Sequence, residues 1–211
     1  FSFQINKKAS VQKFKEIGVD AKGSIKEISF TPKKSLSRCP DCELRGECRG
    51  PVHASPGHFN VSIISDVPGR QEDEKKECLV DSAGKIVWDE LLKYELKRDN
   101  FHTSNVCKCF PSISKSPKPN QIKMCSEKWL FEELKEINCK LILAFGNTCL
   151  FAFTGRSGEV KEMNGKTEWN EKIGAWICWC MHPSSVLHDA RNKPLFEQGI
   201  KNFVDKIEAL S

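Results

Sequence analysis

From residue 59 onward the chain alternates short, nearly continuous apolar runs with longer segments whose apolar residues recur every three or four positions. The runs "FNVSIIS" (59–65), "FHTSNV" (101–106), "KLILAFG" (140–146) and "WICWCM" (176–181) predict buried strands. Between them the helical period predicts helices over 83–96, about 119–136 (opened by "KPNQ"), the stretch "NTCLFAFT", and 194–210. Strand and helix in regular alternation predict an α/β fold, a three-layer α/β/α arrangement around a four-stranded parallel sheet. In such sheets the chemistry gathers at the carboxyl ends of the strands. The segments that begin at Ser65, Asn105, Gly146 and His182 are therefore expected to border one crevice.

Composition narrows the class. The 211 residues, 39% hydrophobic and 29% charged, are those of an ordinary globular protein with one sizeable core. The longest apolar stretches, such as "AWICWCM" (175–181), are far too short to span a membrane. "FSFQINKKASVQKFKEIG" at the amino end carries no secretory pattern, so an intracellular, cytoplasmic monomer is expected. In a reducing compartment eleven cysteines are not a disulfide framework, and some should bind metal. Three of them crowd into "SRCPDCELRGEC" (37–48). Charge is uneven. Residues 1–38 hold nine basic side chains against three acidic ones, an excess above the +5 of the whole chain. This predicts a basic N-terminal extension over 1–38, either a solvated appendage or an arm that follows a phosphate backbone, ahead of one domain over 39–211.

The strand ends carry "SDVPGRQED" (65–73), "NVCKCFP" (105–111) and "HPSSVL" (182–187), in that order, downstream of the paired cysteines. This ordered set resembles uracil-DNA glycosylase family 4, with its iron–sulfur cluster, GEAPGxxED, PFVG, NVVKCxP, a further cysteine and a closing HPS. The resemblance covers roughly residues 39–208. It implies a 4Fe–4S cluster held by Cys39, Cys42, Cys109 and Cys125, with Cys48 on the connector and Cys107 on a strand as non-ligands. Soft thiolates suit such a cluster. The spacing by itself equally allows a four-cysteine zinc site.

The resemblance also implies an activity, hydrolysis of the N-glycosidic bond of uracil, or a related 5-substituted uracil, in DNA. Asn105 would read the uracil edge, accepting from N3–H and donating to O4. His182 would face the base O2 and stabilise the leaving charge. In the first motif Ser65 and Asp66 replace the family's glycine and glutamate. Val67 and Gly69 would border the base through the turn made with Pro68, and Glu72 would position water or balance the sugar cation, with Asp66 as a further catalytic carboxylate. Ser184, Leu187 and Arg191 would meet DNA, Leu187 as a wedge and Arg191 on a phosphate. Counting without gaps from Glu72 puts Leu79 where the family has its stacking phenylalanine and Asp81 where it has glycine. That departure keeps a second reading open, a non-catalytic DNA-binding module of the same fold; a zinc-ribbon protein with an unrelated α/β domain is a third.

Overall fold

A computed structural model describes residues 25–31, 39, 42–158 and 160–210. Apart from residues 25–31, the basic extension lies outside the described residues. The predicted strands form as β1 (Phe59–Ser65), β2 (Phe101–Asn105), β3 (Leu141–Phe145) and, numbered after an intervening edge strand, β5 (Ala175–Cys180). They pair in parallel in the order β2-β1-β3-β5. β1, β2 and β3 are buried along their whole length, as strands covered on both faces must be.

The sheet has five strands rather than the expected four. β4 (Thr167–Asn170) adds to the edge of β5 in antiparallel register, Thr167 opposite Cys178 and Asn170 opposite Ala175. "TEWN" has neither an apolar run nor a clean alternation, so local sequence gives no strand signal. The strand exists because a tight turn returns it to β5: Asn170 accepts from Gly174 N at 2.8 Å through its carbonyl and from Ile173 N at 3.1 Å through its side chain.

Helices cover both faces. α1 (Arg70–Lys75) and α2 (Ser82–Leu92) follow β1. After β2 come α3 (Pro119–Cys125), a π-helical turn (Ser126–Leu130) and α4 (Phe131–Glu136), which together fill the span of the one predicted helix. α5 (Gly146–Thr154) and the short α6 (Val160–Met163) follow β3; α7 (Ser184–His188) and α8 (Lys193–Ala209) follow β5. On one face Val61, Ile63, Leu143 and Phe145 pack with Val87 and Leu91 of α2 and Phe196, Ile200, Phe203 and Ile207 of α8. On the other, Ile64, Ile142, Ala144 and Trp179 meet Leu130, Leu134 and Leu150. Alternation along each strand thus feeds two cores, the basis of the three layers.

Residues 25–31, counted by sequence with the extension, lie against this domain. Lys26 N donates to Asn60 Oδ1 at 2.7 Å, Ile28 N to the His58 carbonyl at 2.8 Å, and Ile25 and Phe30 are buried, one in each core.

Candidate active site and a thiol-lined cavity

Ser65 and Asn105 are register partners at the carboxyl ends of β1 and β2. Ser65 Oγ lies 3.0 Å from His182 Nε2, which joins the end of β5 to the same point. The tautomer follows from the partners. Ser184 N, which can only donate, bonds His182 Nδ1 at 3.2 Å, so Nδ1 is an acceptor and Nε2 carries the hydrogen. Burial lowers the His182 pKa to about 4, with Asp81 pulling weakly the other way, so the ring is neutral at physiological pH. Asn105 is completely buried; its amide nitrogen donates to Cys78 Sγ at 3.5 Å, and its Oδ1 has no partner. A buried acceptor left unpaired costs about 1–3 kcal/mol, which marks the atom as built for something that arrives later.

The segment between β1 and α2 differs from expectation. Asp66, half-buried, accepts from Cys149 N at 3.2 Å at the start of α5. Burial pushes its carboxyl up to about 7 despite further donors from Thr148. Gly146, at φ +83°, is required there, since a Cβ would stand 2.4 Å from Asp66 Oδ2. Glu72 is 3% exposed and both its oxygens are occupied, Oε2 by Gly69 N at 2.7 Å and Oε1 by Leu79 N. It therefore ties the loop to itself, and burial raises its pKa to about 7. The N–H of Gly69, a residue expected to border the base, is spent on Glu72. Val67 packs its side chain on the core beneath α5.

Leu79 is not an open substitute for a stacking ring. Its side chain is 2% exposed and belongs to the core shared with Val87 and Leu91. Its backbone sits at φ +49°, a left-handed conformation unfavourable for leucine, and four hydrogen bonds hold it and its neighbour. Glu72 receives Leu79 N; Trp88 Nε1 and Arg98 Nη1 donate to the Leu79 carbonyl at 2.8 and 3.0 Å; Arg98 Nη2 donates to the Cys78 carbonyl at 2.6 Å. Asp81 caps α2, accepting from Gly84 N at 2.9 Å.

The segment after His182 forms α7 and a short turn. Leu187 is 54% exposed, one of three large apolar side chains so exposed among the described residues. Ser184 Oγ lies 2.7 Å from His182 Nδ1, so it supports the ring. Arg191 projects into solvent with its guanidinium on Asp189 at 2.8 Å.

Away from the crevice, Cys39, Cys42, Cys109 and Cys125 line one cavity of about 210 Å³, together with Cys48, Leu44, Lys108 and Trp129. That is many times the ~10–15 Å³ needed to admit one water. No three His, Cys, Asp or Glu side chains among the described residues converge on a point as ligands of a single ion would. The thiols ring a space instead. N–H groups point at two of the four sulfurs: Trp129 Nε1 at Cys39 and Lys108 N at Cys125, both at 3.3 Å. Trp129 reaches Cys39 from the π-helical turn directly after Cys125. Crowding by Cys125 and Cys39 adds to burial in raising the Cys42 pKa. Cys48 lines the cavity against the Cys109 thiol, and Cys107, two residues beyond β2 rather than on it, is buried against Cys125. Neither is remote from the other four thiols. Lys108, 2% exposed, is paired with Glu133 at 2.7 Å and Ser104 Oγ at 2.5 Å, pinning the end of β2 to α4.

With four parallel strands in a mixed sheet, and a neutral histidine and a buried asparagine at one crevice, the chain belongs to the uracil DNA glycosylase superfamily, whose family model matches residues 51–205. It is similar to proteins named type-4 uracil-DNA glycosylase. The Archaeoglobus fulgidus protein is 26% identical over 180 residues, covering 80% of this chain and 87% of that one. The Thermotoga maritima protein is 25% identical over 171 residues, with 79% and 87% covered; the Pyrobaculum aerophilum protein is 24% identical over 180, with 81% and 88% covered. No helix among the described residues is long and apolar enough to cross a membrane. Cys78, Trp88, Arg98 and Lys108 escaped the sequence reading; the lysine set between two cysteines in "NVCKCFP" was the one available signal.

Proposed function

We propose that this protein hydrolyses the N-glycosidic bond of uracil in DNA and releases the base to leave an abasic site. The observation that carries the reading is the unpartnered Asn105 Oδ1, buried one residue pair from the Ser65–His182 contact. Uracil offers N3–H to that oxygen and O4 to the remaining amide hydrogen of Nδ2. As the C1′–N1 bond breaks, its electron pair passes to the base and charge gathers on O2. The Nε2–H of His182 is a neutral donor suited to that oxygen once it leaves Ser65. Water forms the new bond to C1′ and gives up a proton. Asp66, with its pKa near 7, is assigned to receive it, and Glu72 holds the loop rather than acting on water. Ser184, Leu187 and Arg191 face the DNA in this reading, Leu187 filling the place of the flipped nucleotide.

The thiol-lined cavity fits a 4Fe–4S cluster held by Cys39, Cys42, Cys109 and Cys125, with N–H donors already aimed at two of the sulfurs. When bound, it supplies a structural cross-link between the segment around Cys39 and the helix that carries Cys125. The basic residues of 1–38 are assigned to the DNA backbone, and 39–211 to the catalytic domain.

The test is a labelled uracil-containing oligonucleotide, incubated with protein and heated in alkali. Wild type should give strand breaks, and His182→Ala should slow single-turnover cleavage by about 10²–10³ with DNA affinity retained. Tight DNA binding without breaks would mean a non-catalytic module.

A further inference from the structure

We propose that Cys78 is a specificity-determining positioning residue that fixes which way round the Asn105 amide faces the base. The Cys78 Sγ stands between two groups, 3.4 Å from the His53 carbonyl and 3.5 Å from Asn105 Nδ2. A carbonyl only accepts, so the thiol hydrogen lies toward His53 and the sulfur presents lone pairs to Asn105. Only the N–H side of the amide can face those lone pairs. The opposite rotamer would set Oδ1 against sulfur, acceptor against acceptor. The chain of donors, Asn105 N–H to sulfur to His53 carbonyl, therefore has one polarity and leaves Oδ1 directed away from Cys78, where it has no partner. Full burial keeps the thiol protonated and the polarity intact.

The consequence is selectivity. With Oδ1 and one N–H outward in this order, the amide complements the N3–H and O4 of uracil. Flipped, it complements N3 and the N4 amino group of cytosine, both present in every DNA strand. A glycosylase that read cytosine would destroy its own substrate, so the cost of an ambiguous amide is high. Cys78 reaches Asn105 only because the loop is immobilised by Arg98 on its own carbonyl at 2.6 Å and by the contacts to Leu79.

The inference rests on Asn105 reading the base edge, and the experiment separates the two. Cys78→Ala, Cys78→Ser and Asn105→Asp are compared with wild type on uracil oligonucleotides, with inhibition by free uracil and free cytosine as the measure of preference. Cys78→Ala should lower kcat/KM for uracil by about 3- to 10-fold, the value of one net hydrogen bond, and shift inhibition toward cytosine by a similar factor. Cys78→Ser, whose hydroxyl can donate to His53 and accept from Asn105, should restore most of the preference. Equal losses in both Cys78 variants with an unchanged uracil-to-cytosine ratio, or no loss in Cys78→Ala while Asn105→Asp is impaired, would overturn the proposal. No effect of Asn105→Asp on uracil would remove the base-edge reading and this one with it.

Discussion

Gly84, the third residue of α2, offers a test whose sign is set by tertiary structure. Replacing a helical glycine with alanine ordinarily stabilises by about 1 kcal/mol. Here the new Cβ would lie 2.1 Å from the Leu79 carbonyl oxygen, 2.3 Å from its carbon and 2.8 Å from its Cα. These are backbone atoms, and two donors, Trp88 Nε1 and Arg98 Nη1, hold that oxygen from the far side. Overpacking of this kind costs about 1–3 kcal/mol. If the loop yields, it also gives up bonds of about 0.5–1.5 kcal/mol each. With the helix gain of about 1 kcal/mol subtracted, Gly84→Ala should therefore destabilise by roughly 1–5 kcal/mol, a large part of the ~5–15 kcal/mol that holds a domain together. Urea unfolding at neutral pH measures it, with Gly46→Ala as control, since nothing lies within 4 Å of the Cβ that substitution would add. Because Leu79 follows Cys78, uracil turnover should fall as well, measured at a temperature where the variant is folded. A variant more stable than wild type would show that the Leu79 turn is not held as described.

Two further outcomes follow from the geometry. Purified protein should carry about four irons per chain, lost in Cys125→Ala and retained in Cys48→Ala and Cys107→Ala; metal analysis giving one zinc and no iron would refute the assignment. The single-turnover rate should rise with pH up to about 7, as Asp66 loses its proton, and then level, because His182 with its pKa near 4 stays neutral throughout. Asp66→Asn should abolish that rise and lower the plateau, whereas a wild-type profile flat from about pH 5.5 to 8.5 would withdraw Asp66 from the chemistry.

Of the buried parallel strands, β1, β3 and β5 were legible as largely apolar segments of strand length, β1 matching its expected bounds to the residue, whereas β2, "FHTSN", is mostly polar and was placed by its position in the alternation. β4 was not legible, because its pairing depends on a turn closed by Asn170 and not on an apolar run or alternation. At the site, motif order led to Asn105 and His182. It gave no sign that Gly69 N and Leu79 N bond the Glu72 carboxylate, since a carboxylate in an acidic run reads as available until the backbone donors that occupy it are seen. Leu79 is a similar case. Its left-handed backbone is imposed by partners 9 and 19 residues along the chain, and no local pattern announces them.

The connector between the thiols and β1 has a second consequence, for the solubility of the fold. β2 ends the sheet on one side, and an unpaired strand edge is a template for another molecule's strand. Ser55 and Thr103 exchange backbone bonds at 2.8 and 3.0 Å, and Val52 N donates to the Lys108 carbonyl at 2.7 Å, so the connector runs along that edge and occupies it. On the other side β4 is a four-residue strand bearing Glu168, whose carboxylate holds Arg156 at 2.7 Å. The β2 margin is thus covered and the β4 margin is short and charged, and the cover on the β2 side hangs from the same short segment that begins at the thiol-lined cavity. Loss of order around those cysteines would reach beyond the cavity: it would unfasten the strip that covers the β2 edge against another copy of this protein.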